Sequence, residues 1–410
     1  NFSVISHNGA SGVYPGCTDL AYKQAVDDGA DYIDCPVQVT KDGTLVCLNS
    51  ADLTLSTTAA TSSFNSRFSV IPDIQSDRGI FTFNLTWQEI QKSLKPDISN
   101  PQLKYQLLRN PLYKNAGNFM TFTDFLAFAK DKAISGVLIG IENAAFLAEH
   151  LGFSVIDAVL KALDNAGYNN QTRLEVIIQS RDSSVLMKMR QKTNYKLVYM
   201  IDEFIRDASP SSMKDIAGFA HSVAIHKESI YPKSAGFIVA KTEIAAKFKS
   251  ANISVFGYLF ANEFTSQPWD FYSDATMEIK EYVQQAGVDG IITDFPRTAV
   301  AYRRNSCLNL GHKTPRYMLL VEPAALLAIL PPQAMPPALP PMPTLTVADL
   351  VEPPLPPASL NMPSSLGATV SPAPVTPNGE PFYSVSLHVS LLLTMASFLL
   401  IQCGAGWVLR

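Results

Sequence analysis

The sequence predicts an α/β fold, a (β/α)8 barrel. Short apolar runs of strand length recur eight times, at 2–6, 31–39, 136–142, 174–180, 195–201, 222–226, 253–260 and 290–293. Each is followed by a connection long enough to cross over to a parallel neighbour. Most of those connections carry helical spacing or helix punctuation, which is the alternation expected of parallel α/β architectures. A doubly wound open sheet shows the same alternation, and periodicity does not separate the two.

Phe2 to Ser6 reads as a buried strand ending at His7. Thr18 is placed to cap a helix running to Asp28, with Gly29 as its stop. The stretch from Asp31 to Ser50 reads as a β-hairpin around Asp42-Gly43, a strong short-range turn signal. With those two residues central, Lys41 faces Thr44 and Pro36 lies opposite Asn49. Asp34, Pro36 and Asn49 then share one face, and Cys35 and Cys47 occupy opposite faces. Residues 51–118 are rich in Ser, Thr, Asn and Pro and read as a long loop insertion over one end of the domain.

Phe122, Phe125 and Leu126 mark a helix after Thr121, and 136–142 is a strand ending on Glu142. Leu147, Leu151, Val155 and Val159 predict one long helix closing near Gly167. Further helices are expected at 182–191, 211–219, around Ile244 and Phe248, and at 274–285. The last strand, 290–293, runs into Asp294-Phe295-Pro296, where Asp294 is expected to cap the turn.

Several blocks carry a resemblance in order along residues 1–310: ISHNGASG at 5–12, GCT at 16–18, DCPVQVTKDG at 34–43 and VCLNS at 46–50. They are similar to the core motifs of the glycerophosphodiester phosphodiesterases. With NAAFLA at 143–148 and the ending VDGIITDFP, the chain resembles the plant glycerophosphodiester-phosphodiesterase-like branch, in the second of its two tandem domains. The resemblance implies a TIM barrel of the PLC-like phosphodiesterase type, with the hairpin and long insertion after the second strand. It also implies metal-dependent hydrolysis of glycerophosphodiesters to glycerol 3-phosphate and an alcohol. Two histidines would act as acid and base, three carboxylates would hold Ca²⁺ or Mg²⁺, and an arginine would grip phosphate.

Carried over residue by residue, that site is incomplete. His7 matches the first catalytic histidine, and Asp34 and Glu142 match two metal carboxylates. Pro36 stands where the remaining metal ligand belongs, Asn8 where the arginine belongs, and Asn49-Ser50 where the second His-Asp pair belongs. Gly16-Cys17 replace Glu-Asn ahead of Thr18. Asn8 and Asn49 remain candidates to contact substrate. His226, at another strand end, is a candidate to supply the missing acid, and Lys227 the missing phosphate contact. The barrel mouth is the expected location, because barrel enzymes build their sites at the C-terminal strand ends.

The chain has 410 residues and a net charge of −4, so no nucleic-acid partner is expected. It enters directly on a strand with no Met and no leader, and reads as a fragment. Sequons at Asn1, Asn84, Asn170 and Asn252 point to glycosylation and secretion. Cys17, Cys35, Cys47 and Cys307 form an even set compatible with two disulfides or with four buried thiols. No Cys/His spacing indicates zinc.

Residues 311–384 read as an extended stalk: Pro331 to Pro381 holds sixteen of the twenty-eight prolines and three charged residues. Residues 385–410 form an apolar tail with the pattern of a GPI-attachment signal, and a plain membrane span is the alternative. Two function classes follow. One is a weakened hydrolase. The other is a non-catalytic, lipid-anchored surface module binding a phosphodiester, lipid headgroup or wall polysaccharide; the resemblance to the plant branch implies the extracellular face of the plasma membrane and a role in cell-wall organisation.

Overall fold

The computed structural model describes residues 2–98, 110–169, 173–263, 266–306, 322–329 and 344–346. Nine strands form its main sheet: Ser3–Ser6 (β1), Tyr32–Val39 (β2), Leu45–Cys47 (β3), Gly136–Ile141 (β4), Glu175–Ser180 (β5), Lys196–Ile201 (β6), Ser222–His226 (β7), Ser254–Phe260 (β8) and Gly290–Thr293 (β9). All but β3 run parallel to their neighbours. β1 pairs with β9 on one side and β2 on the other, so eight strands close into a ring. That closure excludes the open doubly wound sheet.

Strand alternation explains the two cores. Ile5, Leu138, Ile177, Val198, Ala224 and Ile292 fill the barrel interior. Their sequence neighbours, such as Val4, Val137, Ile178, Leu197, Val223 and Ile291, face the surrounding helices. The predicted helices are present. Asp19–Asp27 is capped by the Thr18 hydroxyl, Ser183–Lys192 by Asp182, Pro210–Phe219 by Ser209 and Ala275–Gln284 by Asp274.

Three details differ from the sequence reading. The expected long helix is two, Ala144–Leu151 and Val155–Asn165. Gly152, at φ 61°, adopts the left-handed stop, and Ser154 caps a fresh start. Hydrophobic spacing continues across the break and hides it.

The hairpin is also shifted. Thr40 N–H donates to the Thr44 carbonyl at 3.0 Å, and Gly43 has φ 77°. The loop is therefore Lys41-Asp42-Gly43, three residues with glycine in the left-handed position. Val37 faces Cys47, and Pro36 lies opposite Leu48 rather than Asn49. A one-residue slip reverses which side chains share a face. Cys35 and Cys47 thus lie on one face and form a disulfide, with Cα atoms 5.1 Å apart. This corrects the expectation that they stay apart. Cys17 is a buried free thiol, and Cys307 lies outside the described residues.

The insertion after β3 is not a bare loop. Leu53, Ala59, Phe64, Ile80, Leu85, Ile90 and Leu94 form their own apolar cluster with Val46, Leu48 and Phe119. Asp52 ties it together, accepting from Thr54 N–H, Ile80 N–H and Gln75 Nε2. A capping box between Thr86 and Glu89 starts the helix Trp87–Ser93.

Contacts divide the chain into Asn1–Ala358 and Ser359–Arg410. The second unit, with the apolar tail, lies outside the described residues, as do Asn1 and Asn170. Within residues 311–384, expected as an extended stalk, Thr344–Leu345 pairs with Asp207–Ala208, and Ala324 N–H donates to the Ile238 carbonyl. Asn84 is half-buried and Asn252 exposed. No helix among the described residues is long and apolar enough to cross a membrane.

Candidate functional site

The barrel mouth holds a cavity of about 310 Å³, lined by His7, Asp34, Pro36, Asn49, Glu142, Gln179, Arg181, Asp202, His226 and Tyr258 over an apolar floor. Its chemistry follows one topological rule. His7, Glu142, Arg181, Asp202 and Asp294 are each the first residue beyond a barrel strand. The strands are buried and the chain turns outward there, so these side chains gather at one end.

His7 is oriented on both sides. Its Nδ1 lies 2.7 Å from Asp294 Oδ1, and its Nε2 lies 3.1 Å from Asn8 Nδ2. Asp294 can only accept and an amide nitrogen can only donate, so the proton sits on Nδ1 and the Nε2 lone pair faces Asn8. Ser11 Oγ lies 2.8 Å from the same aspartate oxygen. Asp294 is therefore the orienting partner of His7, a role that the turn-capping expectation missed.

Asn8 is buried at φ 56°. It also donates to Asn49 Oδ1 at 2.9 Å, and its Oδ1 accepts from the Cys17 thiol at 3.3 Å. With its polar atoms engaged, Asn8 clamps His7 and Asn49 rather than reaching for substrate. Asn49 itself lines the cavity, although the hairpin register differs from that expected. It lies beyond the end of β3, where strand alternation no longer applies.

Asp34 is buried and accepts the Gly9 N–H at 3.3 Å. Loss of hydration raises its pKa to about 6, against the opposing pull of His7 and nearby backbone N–H groups. Burial likewise raises the Glu142 carboxyl, while Arg181 pulls it down. Arg181 Nη1 donates to Glu142 at 2.6 Å, and its Nε bonds Asp202. Asp202 is held from behind by the Tyr258 hydroxyl at 2.8 Å.

His226 does face the cavity, between the rings of Phe204 and Tyr258. Its Nδ1 accepts the Glu228 N–H at 3.2 Å, which leaves the proton on Nε2. Burial pushes its pKa down to about 4, so the ring is neutral at pH 7. It offers a neutral hydrogen-bond donor rather than the expected acid. Lys227 turns the other way. It is buried against Glu278 at 2.6 Å and the Ser266 carbonyl at 3.3 Å, which removes it as a phosphate contact.

A divalent cation was expected at Asp34 and Glu142. Both acids line the cavity, but Glu142 is engaged by Arg181 and Pro36 contributes no donor side chain. Among the described residues, no group of three or more His, Cys, Asp or Glu is placed to hold a metal ion. Ca²⁺ takes six to eight oxygen ligands and Mg²⁺ a near-ideal octahedron. This donor set fits neither ion.

Comparison with known proteins decides the lineage. The model of the glycerophosphoryl diester phosphodiesterase family matches residues 7–298. The chain belongs to this family. Among curated relatives, glycerophosphodiester phosphodiesterase GDPDL3 of Arabidopsis thaliana is 46% identical over 403 residues, covering 98% of this chain and 53% of its own length. GDPDL1 from the same plant is 46% identical over 397 residues, covering 96% of this chain and 51% of its own. The chain thus spans about half the length of these relatives.

Solved family barrels share the fold at low identity. One from Silicibacter pomeroyi has a TM-score of 0.55 at 17% identity, covering 74% of this chain and 94% of that one. A phosphodiesterase from Oleispira antarctica, in complex with the product sn-glycerol-3-phosphate, has a TM-score of 0.50 at 16% identity. It covers 74% of this chain and 96% of that one.

Arg181 and Asp202 are the site residues that sequence reasoning missed. The signal was available: like His7, each directly follows a run that the sequence predicts as a strand.

Proposed function

We propose that the barrel mouth is a glycerophosphodiester recognition site whose hydrolytic power is feeble. The carrying observation is the cavity itself. It brings one oriented imidazole, His7, and one guanidinium, Arg181, into the same cavity over an apolar floor. A guanidinium matches the geometry of a phosphate group, and the sn-glycerol-3-phosphate seen in the Oleispira antarctica relative supplies a natural probe.

Hydrolysis needs a base for the attacking water and an acid for the departing alkoxide. His7 Nε2 has the right tautomer for a base, but its lone pair accepts from Asn8. His226 is neutral and keeps its proton. Loss of one general catalyst typically costs about 10²–10⁴ in rate. Binding therefore survives better than turnover.

The setting we propose is the extracellular face of the plant plasma membrane. The Cys35–Cys47 disulfide suits an oxidising compartment, and the exposed sequon at Asn252 suits secretion. The apolar tail fits a GPI anchor, and the stalk fits a role in wall organisation. Release from plant membranes by phosphoinositide-specific phospholipase C tests the anchor.

The functional test measures glycerol 3-phosphate release from glycerophosphocholine, alongside calorimetric binding. Saturable binding with slow turnover that His7→Ala abolishes is the expected result. Neither binding nor turnover, or turnover indifferent to His7→Ala, would overturn the proposal.

A further inference from the structure

We propose that Arg181 is the resident cation of the barrel mouth and receives the ligand phosphate directly, so that binding needs no divalent metal. This rests on the phosphodiester reading above and deepens it.

The argument starts from charge. Glu142 and Asp202 project into one cavity from the ends of β4 and β6. Two carboxylates facing each other repel unless a cation lies between them. Arg181, from the end of the intervening strand β5, is that cation. Its Nη1 holds Glu142 and its Nε holds Asp202. Strand order alone therefore places the guanidinium between the two acids. The Tyr258 hydroxyl fixes Asp202 from behind, so the guanidinium plane is anchored through a packed ring.

The donor count leaves room for a ligand. A guanidinium carries five N–H donors in a planar fork. Two of its nitrogens contact the acids, while Nη2 has no partner among the described residues. The side chain lines the cavity and is nearly half exposed, at 46%. A phosphate oxygen can join the fork at Nη2 while both carboxylates stay in place. Ionised, the two acids also compete with the incoming anion, which yields a distinctive expectation. Neutralising Glu142 should help binding here, whereas a site built on a metal ligand would be crippled by the same change.

The test is calorimetric titration of the protein with glycerophosphocholine, once in EDTA and once in CaCl₂. Wild type, Arg181→Gln, Arg181→Lys and Glu142→Gln are compared, and thermal melts confirm that each is folded. Wild-type affinity should be equal in both buffers. Arg181→Gln should weaken binding by about 10- to 100-fold, the usual worth of a hydrogen bond to a charged group. Arg181→Lys should fall between them, because it keeps the charge and loses the fork. Glu142→Gln should bind at least as tightly as wild type in EDTA.

Binding that requires Ca²⁺ and disappears in Glu142→Gln would overturn the inference and leave the phosphodiester reading standing. Metal-independent binding that is indifferent to Arg181→Gln would do the same. No binding by any variant in either buffer would remove the phosphodiester reading and this inference together.

Discussion

Asp34 sits in the mouth at a thermodynamic cost, and Asp34→Asn exposes it. The residue is 5% accessible, and loss of hydration lifts its pKa from 3.8 to about 6 in the folded protein. An acid whose folded pKa is raised stabilises the fold while protonated. That contribution is complete below the unfolded value near 3.8 and is lost as pH rises through 6. The full change is about two pH units at 1.36 kcal/mol each, or roughly 3 kcal/mol. About 2 kcal/mol of it falls between pH 4.5 and 7.5. Asparagine keeps an oxygen for the Gly9 N–H and carries no charge at either pH. The stability of Asp34→Asn relative to wild type should therefore rise by about 2 kcal/mol from pH 4.5 to 7.5. Urea unfolding at both pH values measures it. A difference that stays flat, or runs the other way, would refute the burial argument for this carboxylate.

Three other perturbations follow from the same structure. Lys227→Met leaves the Glu278 carboxyl buried without its partner, so urea unfolding should show a loss of about 3–5 kcal/mol; glycerophosphocholine affinity should not change, because Lys227 points away from the mouth. Cys35→Ala with Cys47→Ala removes a crosslink between positions 12 apart, worth about 3 kcal/mol on the chain-entropy account, and denaturation of the variant pair against wild type reads it directly. Asp294→Asn replaces an acceptor-only carboxylate with an amide that can also donate to Nδ1, so the His7 tautomer is no longer fixed, and residual turnover should fall by about 10²-fold while calorimetric affinity for glycerophosphocholine holds.

The barrel was legible because its signal is repeated. Eight buried runs, most with a capped or glycine-stopped helix nearby, reinforce one another, and ring closure follows from β1 meeting both β2 and β9. Single-residue geometry was less legible. Asp42-Gly43 announces a turn but does not say whether the loop has two residues or three, and that one residue decides whether Cys35 meets Cys47. Gly152 ends a helix whose hydrophobic spacing runs on regardless.

The site shows the same division. His7, Asp34, Asn49 and Glu142 were found by matching motifs, and all four line the cavity. Arg181 and Asp202 match no quoted motif, although they occupy the same strand-end positions. Lys227 follows a cavity residue yet turns into the core, because β7 ends at His226 and a short helix begins at Lys227. Strand-end position is thus the better guide to the mouth, and motif identity the better guide to lineage.

The central claim is that the gathered strand ends form a phosphate site organised by Arg181 and His7. A crystal structure of the protein with sn-glycerol 3-phosphate, grown in EDTA, tests it most directly. The account predicts the phosphate inside the mouth with an oxygen on Arg181 Nη2. A ligand seated elsewhere on the barrel, or a mouth left empty at saturating concentration, would contradict it.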